Sequence, residues 1–314
     1  MNAWKLAACV WFAMTMSLAV AEVAEVSVDT KSVPSPVKVS VLTPPGYEGS
    51  GKTYPLFLWL HGGGGDNGFL RNFAPVFEEM WKAGETPEMV VATPDADRSL
   101  YMDYQDGSQK WETFVVKELV PYMREHYRVN ADRTATFIGG ISMGGMGSLR
   151  MGLKYPEIFG AIVSMEPGIE PSFAWKEVQL QDKFWRAPGF MEEKFGSPID
   201  EAYWAANNPA TIVRENVAKL RESGPKIYIE VGSEDAFGLD RGTDFLHRVL
   251  YDNGIKHEYR YVLGADHVGK SVMPRARDGF RFVKRVMTPP ESDPTLDATR
   301  KQIENWKKAA RLTE

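Results

Sequence analysis

The sequence predicts an α/β fold: a mostly parallel central sheet with helices on both faces. Three observations carry that expectation. Short apolar runs of strand length alternate with stretches of helical periodicity along most of the chain. One such run leads straight into a glycine-rich turn and then a helix-like segment, "FIGGISMGGMGSLR" at residues 137–150. The third is bulk: 314 residues, 43% hydrophobic and 25% charged, can bury one sizeable core without disulfides or metals. Right-handed crossovers in such a sheet leave the strand C-termini along one edge, where open α/β sheets build their sites.

In chain order, residues 37–42, 55–60, 89–92, 134–138, 161–165, 226–231 and 258–262 read as strands. Residues 111–127 read as a helix. Val115, Leu119 and Tyr122 share one face there, and Val116, Val120, Met123 and Tyr127 the neighbouring one. Pro121 inside that stretch predicts a kink or a break. Further helices are expected at 245–251 and 278–287. Residues 167–212 interrupt the rhythm with Phe173, Trp175, Phe184, Trp185, Phe190, Tyr203 and Trp204 and no clean period. They read either as a packed excursion or, taken as a set just after a strand, as a small aromatic-rich cap insertion over a pocket. Trp175 and Trp185 are then the candidate substrate contacts. "TPPESDP" at 288–294 reads as a linker, followed by a short polar helix over about 295–311.

The start of the chain is a separate matter. Lys5 precedes an apolar run from Leu6 to Val20, and Ala19-Val20-Ala21 is a small-x-small cleavage site. This predicts a secretory signal peptide over residues 1–21 and a secreted or periplasmic catalytic domain over 22–287. The apolar run is short for a bilayer core of roughly 30 Å, so no stable membrane insertion is expected after cleavage. The only cysteine, Cys9, lies inside that segment, which excludes a disulfide framework, a cysteine nucleophile and a thiolate metal site from the rest. With 37 basic and 42 acidic residues and no basic cluster, a nucleic-acid partner is not expected. No metal or cofactor motif is present, and composition gives no oligomeric state.

Gly140-Ile141-Ser142-Met143-Gly144 fits G-x-S-x-G in the strand–turn–helix setting that gives the motif its meaning. Its serine sits on a sharp corner, and side chains two residues either way would collide with the neighbouring strand and helix. Serine is a weak nucleophile at neutral pH and needs a base. Of the five histidines, His61 heads the run "HGGGG", His126 and His247 lie in expected helices, and His257 opens an expected strand. His267, in the loop "LGADHVGK" after the last strand, alone combines a strand C-terminus with glycine flexibility. A carboxylate must orient the imidazole and stabilise its charged form. Asp235, just past the strand in "KIYIEVGSEDAFG", is the candidate. Glu234 is its rival, and Asp266, adjacent to the histidine, fits a turn-former better. The resulting order Ser142, Asp235, His267 is that of α/β-hydrolases. The oxyanion that develops during acyl transfer needs two N–H donors. Met143 supplies one, as the residue after the nucleophile. The glycine run supplies the other, with Gly63 the first choice and Gly62 the second.

"PLFLWLHGGGG", "WETFVVKELVPYMREHYRV", "DRTATFIGGISMGGMGSLRMGLKYPEIFGAIVSM", "VGSED" and "GADHVG" together resemble the esterase D-like family of α/β-hydrolases, over about residues 37–287. That family is related to feruloyl and acetyl-xylan esterases and to S-formylglutathione hydrolase. The resemblance implies a serine esterase with the same three residues and the same oxyanion donors, and no cofactor. Many relatives carry an aromatic residue soon after the histidine, whereas Val268 and Gly269 stand there in this chain. Feruloyl or acetyl esters of sugars or polysaccharides are the expected substrates. The alternatives are an acyltransferase of the mycolyltransferase type and a non-catalytic carbohydrate-binding homologue.

Overall fold

A computed structural model describes residues 21–183 and 186–310. The expected signal peptide, apart from Ala21, lies outside the described residues, as do Phe184, Trp185 and residues 311–314.

Eight strands form one sheet: β1 (Glu22–Val28), β2 (Val37–Thr43), β3 (Leu56–Leu60), β4 (Val90–Pro94), β5 (Thr136–Ile141), β6 (Ala161–Met165), β7 (Lys226–Gly232) and β8 (His257–Val262). Their order across the sheet is β1-β2-β4-β3-β5-β6-β7-β8. The pairs β1–β2 and β2–β4 are antiparallel, and β4 through β8 run parallel. All seven expected strands are present within a few residues of their expected ends. Strand β1 is an addition: "EVAEVSV" is mostly exposed and lacks the apolar run by which the others are legible.

The central strands are buried on both faces, which is why they read as continuous apolar runs. Along β3, Leu56, Leu58 and Leu60 enter one core while Phe57 and Trp59 enter the other. On the second face, Phe280 of the helix Val272–Met287 stacks on Phe77 of the helix Phe69–Lys82 at 4.3 Å, and meets Trp59 edge-on at 5.0 Å. Offset and edge-on ring pairs of this kind add to the plain gain from apolar burial.

Pro121 does not break the helical stretch. Residues Phe114–Leu119 instead take the wider π-helical turn, and the helix resumes at Val120 with Pro121 in its first turn, where a missing N–H costs little. The 167–212 stretch contains helices Pro188–Phe195, Glu201–Asn207 and the start of Pro209–Glu215. Most of its described aromatics pack inward: Trp204 is buried, and Phe173 meets Phe245 edge-on at 5.0 Å. The polar C-terminal helix, Pro294–Ala309, buries no residue.

Candidate active site

The parallel strands deliver five loops to one edge of the sheet in spatial order. After β3 comes the His61–Gly65 glycine run, after β5 Ser142, after β6 Glu166, after β7 Asp235 and after β8 His267. Register brings their roots together: Leu60 lies opposite Gly140, Ile141 opposite Met165, and Gly232 opposite Val262.

Ser142 sits on the corner between β5 and the helix Met143–Lys154 with φ 60° and ψ −114°. A non-glycine residue reaches such values only when its surroundings impose them. Here its N–H donates to Met165 O at 2.9 Å and its C=O accepts from Met146 at 2.9 Å. Close approach explains the flanking glycines. A Cβ on Gly140 would lie 2.5 Å from Leu60 O, and one on Gly144 only 2.3 Å from the same oxygen. Met143 opens the helix, so its N–H has no intrahelical acceptor.

Asp235 and His267 meet directly: His267 Nδ1 donates to Asp235 Oδ2 at 2.9 Å, with the Asp235 side chain fully buried. The other carboxylate oxygen accepts from the Phe237 and Leu239 N–H groups at 2.8 and 3.4 Å. Burial by itself would raise the Asp235 carboxyl. The hydrogen bonds from His267 and Glu166 outweigh it and hold the group at about 2. Glu234 is exposed, with Ser233 Oγ donating to its carboxylate. Asp266 staples the two loops, since its Oδ1 accepts from Ala236 N–H at 2.9 Å and from His267 N–H at 2.6 Å.

His61 does a different job. Its Nε2 accepts from the Ala96 N–H at 3.0 Å, and its Nδ1 bonds the Gly62 carbonyl at 2.8 Å. A carbonyl only accepts and an N–H only donates, so the ring is the neutral Nδ1–H form. Burial pushes its pKa down, in keeping with that form. The Gly62 carbonyl, which also accepts from Gly65 N–H at 3.0 Å, is thereby pinned. In a trans peptide the Gly63 N–H must then point the opposite way. A Cβ on Gly62 would lie 3.5 Å from Ser142 Cβ, and one on Gly63 would lie 3.9 Å from Met143 Cβ, so the run borders the serine turn. The remaining histidines are elsewhere: His126 stacks on Tyr122, and His247 pairs with His257.

One cavity of about 790 Å³ is lined by Gly62, Gly63, Ser142, Met143 and His267 together. Its apolar wall comes from Phe69, Leu100, Phe190, Phe237, Leu239 and Val272, with Arg98 among the lining residues. Trp175 is not part of it. That ring lies 5.9 Å from Trp204 and lines a separate cavity with Lys183 and Arg186, apart from Ser142 and His267. Trp185 lies outside the described residues. The aromatic missing after His267 has a counterpart in Phe237, whose ring lies 4.5 Å from the imidazole. Phe237 and Arg98 were not singled out in the sequence, and Phe190 only as one of an aromatic set. Phe190 alone could have been drawn from the aromatic-rich stretch.

A serine on a strained β-strand-to-helix corner and a histidine–carboxylate pair, carried on loops at one edge of a mostly parallel sheet, belong to the α/β-hydrolase fold. Comparison with known proteins gives the family. The model described as "Putative esterase" matches residues 30–271, and the chain belongs to that family. It is 33% identical to a curated esterase of Mycobacterium tuberculosis over 54% of this chain and 38% of that protein. It is 28% identical to an acetyl esterase of Caldicellulosiruptor saccharolyticus over 54% of this chain and 63% of that one. The chain thus spans under two thirds of either relative's length. A solved ferulic acid esterase superposes with a TM-score of 0.71 at 24% identity, over 86% of this chain and 99% of that one.

Proposed function

We propose that the protein is a serine carboxylic-ester hydrolase working through an acyl-enzyme. Ser142 Oγ attacks the ester carbonyl carbon while His267 Nε2 takes its proton. Asp235 keeps the imidazole in the Nδ1–H form and stabilises the imidazolium. The tetrahedral oxyanion is met by the N–H groups of Met143 and Gly63. His267 then protonates the departing alcohol oxygen as the C–O bond breaks. Water enters, gives its proton to the same nitrogen and releases the acid, restoring Ser142. Each oxyanion donor is worth roughly 2.7–4 kcal/mol in reactions of this kind.

The observation that carries the reading is the 2.9 Å His267–Asp235 bond on a cavity that Ser142 and the glycine run also line. The apolar wall of Phe69, Phe190 and Phe237 favours an acyl group that is aromatic or short, such as feruloyl or acetyl, on a saccharide alcohol. Residues 1–21 support export, with the hydrolase unit over 22–287, a cap insertion at 167–212, and a linker and short polar helix over 288–314. Among the described residues no helix is long and apolar enough to cross a membrane. The test is a panel of p-nitrophenyl esters and feruloylated or acetylated sugars, run with and without acceptor alcohols. Ester cleavage that disappears in Ser142→Ala supports hydrolysis. Acylated acceptor as the main product would assign acyl transfer instead, and equal rates for wild type and Ser142→Ala would end the reading.

A further inference from the structure

Beneath the Asp235–His267 pair lies a buried group of charges that the reaction just described does not use. Glu166, directly after β6, and Glu230, in β7, both have fully buried side chains. The Arg275 guanidinium, from the helix Val272–Met287, reaches both: its Nη1 contacts Glu166 Oε1 and lies 3.2 Å from Glu230 Oε1. Its Nη2 donates to Asp266 O at 2.7 Å and its Nε to Ser271 O at 3.3 Å, tying the group to the His267 loop. The Gly232 N–H lies 3.2 and 3.3 Å from the two Glu166 carboxyl oxygens. Glu166 itself sits at φ 46°, a left-handed conformation held by its N–H bond to Glu230 O at 2.9 Å. Strain at an observed outlier of this kind asks for a functional reason.

Glu166, Asp235 and His267, all buried, bring one polar atom each within 4.8 Å of one another. Two buried carboxyl groups this close do not both ionise: one keeps its proton and can donate it to the other. Asp235 already accepts from His267, Phe237 and Leu239, as an ionised carboxylate does. The proton therefore belongs to Glu166. Charge balance agrees. With all three carboxyls ionised, one guanidinium would face three buried negative charges. With Glu166 neutral, Arg275 is matched by Glu230, and Asp235 is matched by the imidazolium that forms on His267.

Resting on the esterase reading above, we propose that Glu166 is a positioning residue for the reaction: a neutral carboxylic acid that donates its O–H to Asp235 and keeps that carboxylate ionised and aimed at His267. Burial and the bond to Asp235 push the Glu166 carboxyl up to about 9 against the pull of Arg275, while burial lifts Glu230 to about 7 against the same pull. The charged and titratable groups facing Glu166 are Glu230 from β7, Asp235 from the following loop, His267 from the loop after β8, and Arg275. When Glu166 ionises at alkaline pH, the donated bond becomes a repulsion and Asp235 loses its hold on the imidazole.

Two substitutions test this. Glu166→Gln keeps a donor for Asp235 and an acceptor for Arg275 but cannot ionise. Its kcat/KM at neutral pH is expected within about fivefold of wild type, with the alkaline decline near pH 9 abolished. Glu166→Leu removes the donor, and its kcat is expected to fall at least about tenfold with KM little changed. The infrared band of a protonated carboxyl group at pH 8, where Glu230 is mostly ionised and Glu166 mostly is not, present in wild type and absent in Glu166→Gln, reads the same proton without any turnover. A Gln variant as impaired as the Leu variant, a persisting alkaline decline, or no such band would each overturn the proposal. Should the wild type cleave no ester, the infrared comparison still decides the state of Glu166, and only the esterase reading fails.

Discussion

The imidazole of His61 holds the carbonyl of Gly62 at 2.8 Å and so fixes which way the next peptide N–H faces. An oxyanion donor is useful only if it is aimed before the charge develops, because reorientation during the reaction costs part of the stabilisation. His61→Ala frees that peptide. The expected result is a fall in kcat of about tenfold to a hundredfold with little change in KM, measured on a p-nitrophenyl ester beside a thermal melt. An unchanged kcat in a folded variant would remove His61 from this role.

Asp235→Asn leaves a side chain of the same shape but removes the charge that His267 Nδ1 donates to. The amide also favours the wrong imidazole tautomer. A loss of about 10³–10⁴-fold in kcat is expected, in line with the same change in serine proteases. The acid partner must be sought elsewhere if activity survives within tenfold.

Gly144→Ala tests the corner itself. The new Cβ would meet Leu60 O at 2.3 Å, and that oxygen belongs to a strand paired on both sides, so little can give. Overpacking against backbone of this kind costs about 3 kcal/mol, visible as a drop in the denaturation midpoint or as insoluble protein. A variant as stable as wild type would mean that the helix and β3 are not held this closely.

Phe190→Ala enlarges the apolar wall of the cavity without touching the proton-transfer groups. The expected outcome is a shift in preference toward bulkier acyl groups, read as kcat/KM across an ester series from acetyl to feruloyl. The same rank order in both proteins would place the acyl group against another wall.

Stability should depend on pH with a definite sign. Glu166 holds its proton to about 9 in the folded protein, far above an unfolded glutamate. Its contribution is complete below the unfolded value and is lost as pH rises through that window. Asp235, held at about 2, contributes in the opposite sense: its share is present above the unfolded aspartate value and fades as pH falls toward 2. Thermal melts from pH 5 to 9 should show Glu166→Gln losing less stability on the alkaline side than wild type. Parallel curves would contradict the buried proton.

Much of this was legible in the sequence because strands buried on both faces write themselves as apolar runs, and because a glycine-flanked serine after such a run has few other uses. Strand β1 was not, since an edge strand that leaves Glu22, Ala24 and Glu25 exposed has no apolar run to show. At Pro121 the sequence left a kink or a break open, and the chain meets the missing N–H without a break, through the π-helical turn before it. Trp175 illustrates a different limit: an aromatic-rich stretch announces burial, but which ring reaches a cavity depends on helix orientations that no local pattern encodes. Glu166 and Glu230 did carry a signal, as acids inside or beside buried strands. Their partner Arg275 is more than 40 residues away from either along the chain, so the pairing appears only in three dimensions.

The most direct test of the account is to treat the protein with a fluorophosphonate and map the adduct by mass spectrometry. One modified residue is expected, Ser142, with labelling lost in Ser142→Ala and strongly slowed when His267 is replaced by alanine. No adduct on folded protein, or an adduct on another residue that persists in Ser142→Ala, would contradict it.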